Sequence, residues 1–135
     1  ITEAPAFSPD GKQIACYYRA DANSPWKLAL IPADGGEPAK FFNVTTAANT
    51  LTGSSSPRLW VVLRWTPDGR SILYVADRNG ASNVWSQPAD GGAPKQLTDF
   101  KTDLIWTFDL SPDGKQLVMS RGRNVDDVVL ISNAK

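Results

Sequence analysis

Ser8-Pro9-Asp10-Gly11, Thr66-Pro67-Asp68-Gly69 and Ser111-Pro112-Asp113-Gly114 are one tetrapeptide written three times. An apolar residue (Phe7, Trp65 or Leu110) precedes each copy, and a basic residue (Lys12, Arg70 or Lys115) follows it. The tetrapeptide is turn chemistry. Proline presets φ, aspartate bonds back to the nearby backbone, and glycine supplies the positive φ. Apolar runs come next: Gln13 to Tyr18, Ser71 to Ala76 and Gln116 to Ser120. Rich in β-branched and aromatic residues and bounded by turns, they read as strands.

The turns index a repeat. The prolines stand 58 and then 45 residues apart, and periods of 20–50 residues mark repeat architectures. In each unit, strand A precedes the turn: Ala4 to Phe7, Val62 to Trp65 and Thr107 to Leu110. Strand B follows it, and a polar loop leads to strand C: Lys27 to Pro32, Asn83 to Pro88 and Asp127 to Ser132. Two copies carry a second hairpin cue, Asp34-Gly35-Gly36 and Asp90-Gly91-Gly92. It introduces strand D, at Ala39 to Val44 and Lys95 to Thr98. The expected fold is therefore all-β: a partial β-propeller of about three four-stranded antiparallel meanders, the last incomplete.

As one domain over 1–135, blade 1 would span about 1–44 and blade 2 about 59–99, with an insertion at about 45–58 between them. Blade 3 would run from about 104 to 135. Strands B and C carry consecutive apolar residues, as in sheets covered on both faces. A β-sandwich also has short strands and regular turns, but its strands do not return with one tetrapeptide at one place.

Composition excludes more than it assigns. Fourteen basic residues balance fourteen acidic ones, so no global field draws in nucleic acid. No Gly-rich phosphate loop is present, and no apolar run approaches the roughly 20 residues of a membrane span. Histidine is absent from the sequence, which removes the commonest general base and metal ligand. Cys16 has no histidine to activate it and reads as a buried thiol. Ser54-Ser55-Ser56 is a flexible stretch, not a nucleophile elbow. Asp10, Asp68 and Asp113 each stand alone beside proline and glycine, without the dense oxygen set of a calcium loop. We therefore expect no catalytic residue, no metal and no cofactor. Ile1 reads as an interior residue of a longer protein, since neither methionine nor a leader precedes it.

The stretch Trp65-Thr66-Pro67-Asp68-Gly69-Arg70, with Asp77-Arg78-Asn79-Gly80, Asn83-Val84-Trp85, Asp90-Gly91-Gly92 and Gln96-Leu97-Thr98, resembles the TolB-like β-propeller repeat. Copies one and three are similar through the turn and strand B. The end, from Ser120 to Ser132, resembles the last blade of propellers carried by bacterial multidomain proteins, including receptor-like kinases and winged-helix regulators. The resemblance implies a ring of six or more blades, completed by further blades of a parent protein or by other copies, and favours a periplasmic or extracytoplasmic setting.

In a meander, the A–B and C–D turns fall at one end of the blade and the B–C and D–A loops at the other. Irregular loops on a rigid scaffold carry binding. The partner surface is therefore expected on the second face, at Arg19 to Trp26, Asp77 to Ser82, Arg121 to Asp126, Thr45 to Arg58 and Asp99 to Asp103. Arg19, Arg78, Arg121 and Arg123 are the candidate partner-binding residues, because arginine pairs carboxylate or phosphate through two hydrogen bonds. A solvated mixed-charge surface is the competing reading. Trp60 and Trp106 are candidate anchors or inter-blade packing residues. Trp26, Trp65 and Trp85 are expected to pack. Arg64 and Asp109 share one strand A position in adjacent copies, as a pair between blades or as channel-lining residues.

Two functions fit. One is a non-catalytic module that binds a protein or small ligand, as a sensor or scaffold within a larger bacterial protein. The other is the gating propeller of a prolyl oligopeptidase-type hydrolase. Neither makes this chain itself an enzyme.

Overall fold

The computed structural model describes residues 1–43, 62–78 and 80–123. These form ten antiparallel strands: β1 (Thr2–Phe7), β2 (Gln13–Tyr18), β3 (Lys27–Pro32), β4 (Lys40–Phe42) and β5 (Arg64–Trp65), followed by β6 (Ser71–Arg78), β7 (Ala81–Pro88), β8 (Lys95–Gln96), β9 (Leu104–Leu110) and β10 (Leu117–Gly122). Two four-stranded sheets, β1-β2-β3-β4 and β5-β6-β7-β8, precede the β9–β10 pair. The described residues form a partial propeller of two blades and the first half of a third. Among the described residues no helix is long and apolar enough to cross a membrane.

The repeated turn has one wiring in all three places. Ser8 Oγ donates to Asp10 Oδ1 at 2.6 Å and accepts from the Gln13 amide at 2.9 Å. The Lys12 amide donates to the same carboxylate oxygen at 3.1 Å. Thr66 with Asp68, and Ser111 with Asp113, repeat this relay. The hydroxyl is thus a working part of the turn: it is both donor and acceptor, which explains Ser or Thr at the first position. Gly11, Gly69 and Gly114 take φ of 70°, 68° and 69°, a region that penalises a side chain.

The second hairpin is tied to the first. The Ala33 amide donates to the Lys12 carbonyl and the Ala89 amide to the Arg70 carbonyl, both at 2.9 Å. The A–B and C–D turns therefore share one end of the blade, and the loops between blades take the other.

Alternation along each strand explains the consecutive apolar residues. Ile72, Tyr74 and Ala76 of β6 pack toward blade 1, against Ala15, Tyr17, Leu28 and Leu30. Leu73 and Val84 turn the other way, against Ile105 and Phe108 of blade 3. Blade 2 is covered on both faces. Its Trp65 adds a hydrogen bond from Nε1 to the Ala6 carbonyl of blade 1 at 3.0 Å.

Several strand ends differ from the sequence reading. β1 begins at Thr2 and carries a bulge, with Ala4 at φ 53°. β9 begins at Leu104, three residues early. β5 keeps Arg64–Trp65 alone, and β4 and β8 are shorter than expected. Asp77 and Arg78 belong to β6 and Ala81 and Ser82 to β7, with Arg78 paired to Ala81, so these residues extend the hairpin and are not an irregular loop. Gly80 there has φ 79°, and Asn79-Gly80 is the hairpin cue that accounts for it. The strand expected at Asp127 to Ser132, the insertion at Thr45 to Arg58 and Trp60 lie outside the described residues.

Candidate functional site

The site is built by the linker from blade 2 to blade 3, residues 97–103, and by the loop-end halves of β6, β7 and β10. Asn83 fixes the linker. Its side-chain amide donates to the Phe100 carbonyl at 3.1 Å, while Oδ1 accepts from the Phe100 amide at 2.7 Å and Thr98 Oγ1 at 2.9 Å. Thr98 Oγ1 in turn accepts the Val84 amide at 2.9 Å. Buried polar groups need such partners, and Asn83 is only 7% exposed. The backbone of residues 98–100 is thereby held against the sheet, and the Phe100 ring is set in place.

Phe100 organises the cations. The Arg121 guanidinium carbon stands 3.8 Å from the Phe100 ring centroid. Arg121 Nη2 donates to the Thr102 carbonyl at 2.7 Å and lies 3.6 Å from Asp103 Oδ2. Asp103 itself is in the left-handed region, at φ 67°, and its carbonyl accepts the Ser82 amide at 3.0 Å. Beside Phe100 opens a cleft of about 210 Å³, with Arg78, Asn83, Trp85, Gln96, Asp99 and Lys101 in its lining. Arg78 sits 4.8 Å from the Trp85 ring. Lys101 Nζ reaches Asp99 Oδ1 at 2.6 Å across an exposed surface.

Such stacking holds the guanidinium plane and leaves its N–H edge for an acceptor. A cleft of this volume suits one carboxylate or phosphate group and its stem, being below the usual 300–1,000 Å³ of a drug-sized pocket.

The structure sorts the sequence candidates. Arg78 lines the cleft beside Phe100, whereas Arg121 stands over the Phe100 ring and is not part of the cleft's lining. Arg19 is apart, in blade 1: it stands 4.5 Å from the Trp26 ring, and its Nη1 donates to the Ala22 carbonyl at 3.0 Å. Arg123 is exposed. Trp106 is half-buried and lies over Gly122, where an added Cβ would stand 2.9 Å from Cη2 of the ring. Trp26 and Trp65 are buried, and Trp85 packs against the core between blades 1 and 2.

Arg64 and Asp109 form an ion pair between blades 2 and 3, with Nε to Oδ1 at 2.9 Å. The Arg64 hydrogen bond leads in holding the Asp109 carboxyl below its ordinary range, and the Leu110 amide adds to it. Both side chains are partly exposed, at 41% and 59%.

Asp10, Asp68 and Asp113 each spend a carboxylate oxygen on the turn relay. Among the described residues no group of three His, Cys, Asp or Glu side chains is placed to hold a metal ion. Cys16 is buried, and burial pushes its thiol up.

Phe100, Asn83 and Thr98 are the residues that sequence reasoning missed as site builders. Asn83 and Thr98 stand in the Asn83-Val84-Trp85 and Gln96-Leu97-Thr98 segments of the repeat, whose pattern carries no sign of the contact between them.

The sequence profile of the TolB beta propeller domain matches residues 1–135 throughout. The chain belongs to the TolB β-propeller domain family. Among solved TolB folds, TolB from Acinetobacter baumannii superposes with a TM-score of 0.62 at 26% identity, over 86% of this chain and 25% of that one. The putative TolB from Agrobacterium tumefaciens gives a TM-score of 0.63 at 25% identity, over 88% of this chain and 38% of that one. A curated relative, the "Uncharacterized peptidase YuxL" of Bacillus subtilis, is 26% identical over 136 residues, covering 91% of this chain and 18% of its own length. This TolB-family chain thus spans about a fifth to two fifths of the proteins it resembles.

Proposed function

We propose that this chain is a non-catalytic propeller module that binds a carboxylate- or phosphate-bearing protein or small ligand on its loop face, within a larger bacterial protein. One observation carries the reading. Arg78, stacked on Trp85, borders the cleft at the Phe100 linker, and no carboxylate among the described residues pairs with it. A guanidinium presented in this way favours an anionic group that offers two acceptors. The absence of histidine from the sequence supports the non-catalytic assignment.

The test is an amide chemical-shift titration with inorganic phosphate and with a short peptide ending in a free carboxylate. Shifts clustered on Arg78, Phe100 and Lys101, and abolished by Arg78→Gln, are expected. Shifts on the Pro-Asp-Gly turns, or none at all, would overturn the proposal.

A second reading is supported by the likeness to the B. subtilis peptidase. In it the chain is part of a gating propeller attached to a serine hydrolase domain. That reading requires a Gly-x-Ser-x-Gly segment elsewhere in the parent polypeptide, and the parent gene sequence decides it.

A further inference from the structure

Of the charged and amide side chains that line the cleft beside Phe100, all the donors but Arg78 already have an acceptor. Asn83 Nδ2 donates to the Phe100 carbonyl, Gln96 Nε2 to the Thr98 carbonyl at 2.6 Å, and Lys101 Nζ to Asp99 Oδ1. Arg78 has the Trp85 ring and no acceptor among the described residues. The Trp85 Nε1 donor is buried, out of a ligand's reach. The cleft therefore offers one free cation with a two-pronged N–H edge.

The strand register explains the rest of the lining. Ala76 pairs with Asn83 and Arg78 with Ala81, so these four and Trp85 alternate onto one face of the blade 2 sheet. Ala76 and Ala81 are small and buried, while Trp85 and Phe100 supply aromatic surface. Beside the free guanidinium the cleft is thus apolar. An apolar cavity of about 150 Å³ holds a benzene ring, so the roughly 210 Å³ here takes a ring and the carboxylate attached to it.

Asp99 decides the charge of such a guest. It holds Lys101 at 2.6 Å and so keeps a second cation out of play. The cost of stripping water from an ion rises with the square of its charge, whereas its attraction to a single cation rises only linearly. A phosphate monoester is close to a dianion at neutral pH and loses more water than Arg78 alone offsets. It also meets the Asp99 carboxylate with about twice the repulsion that a carboxylate guest feels. Resting on the loop-face reading above, we propose that the cleft takes a monocarboxylate with a flat apolar stem, and that Asp99 selects against phosphate monoesters by keeping Lys101 engaged.

Amide chemical-shift titrations of the whole chain at about pH 7.5 compare phenylpropanoate, its neutral amide, acetate and phenyl phosphate. Phenylpropanoate should shift Arg78 and Phe100 and bind at least about tenfold more tightly than the amide or acetate, the worth of a charge-assisted hydrogen bond or of a buried ring. Phenyl phosphate should bind more weakly than phenylpropanoate. Asp99→Asn frees Lys101 and should move the ratio of the two affinities about twofold to fivefold toward phosphate, the range of an exposed ion pair. Adding Lys101→Met should remove that gain. Tighter binding of N-acetylphenylalanine than of phenylpropanoate supports a peptide chain end as the source of the carboxylate, and the reverse supports a free acid. A wild type that takes phenyl phosphate at least as well, with the same residues shifted, would overturn this inference and leave the anion site standing. So would an affinity ratio that Asp99→Asn leaves unchanged. No shift at Arg78 from any of these compounds would overturn the loop-face reading as well.

Discussion

Trp65 Nε1 donates to the Ala6 carbonyl at 3.0 Å, so the aromatic residue that ends β5 both fills the space between blades 1 and 2 and hydrogen-bonds across it. Trp65→Phe keeps most of the volume and removes the donor, which should cost about 1–3 kcal/mol. Trp65→Ala also opens a cavity and should cost about 3–5 kcal/mol. Urea unfolding of the three proteins measures both steps. Equal losses for the two variants would assign the whole effect to the hydrogen bond.

Gly11 and Gly114 share the same left-handed backbone but differ in surroundings. Alanine at either site is strained by roughly 1–2 kcal/mol. At Gly114 the new methyl group also meets Pro67 at 3.0 Å, with a ring that cannot swing aside. In thermal unfolding at a concentration where the chain is monomeric, Gly114→Ala should lower the midpoint more than Gly11→Ala. Equal shifts would deny that the turns touch.

The turn aspartates set an acid dependence. The hydroxyls of Ser8, Thr66 and Ser111, then the following backbone amides, hold the carboxyls of Asp10, Asp68 and Asp113 below their ordinary range. The folded state binds these protons less readily than the unfolded state. Their contribution is therefore complete above the unfolded carboxylate value of about 3.9 and is lost as pH falls through the lower folded values. Stability should drop with acid in that window, and a triple Asp→Asn variant should show a flatter profile. All three groups are exposed, so the effect is modest. Equal slopes for the two proteins would contradict the relay.

Arg64 and Asp109 bridge blades 2 and 3 at the surface. A double-mutant cycle with Arg64→Met and Asp109→Ala should give a coupling of about 0.2–1 kcal/mol, the range for exposed pairs. Added salt should reduce it. A coupling well above that range would mean that the pair is shielded by structure outside the described residues.

The blades were readable because they are written in local chemistry. Pro-Asp-Gly and Asp-Gly-Gly turns need particular φ values, and apolar runs between them have one way to be buried on both faces. Non-local contacts were harder to read. The equivalent placing of Arg64 and Asp109 could be counted off the repeat, whereas the Phe100 linker could not. It depends on Asn83 bonding to residues 15 to 17 positions away, with no periodic signature. Asp77 to Ser82 reads as an irregular loop from its charges, whereas Asn79-Gly80 within it is a hairpin cue. Arg121 shows the same limit: its sequence position marks a loop end, but its engagement with Phe100 and Thr102 is tertiary.

The most direct test of the loop-face assignment is a comparison of two arginines at opposite ends of blade 2, with the carboxylate peptide as ligand and tryptophan fluorescence as readout. Arg78→Gln should weaken binding roughly tenfold or more, the worth of a charge-assisted hydrogen bond. Arg70→Gln, on the turn face with its side chain 86% exposed, should leave affinity unchanged. Equal affinity for wild type and Arg78→Gln, or a loss at Arg70 instead, would contradict the account.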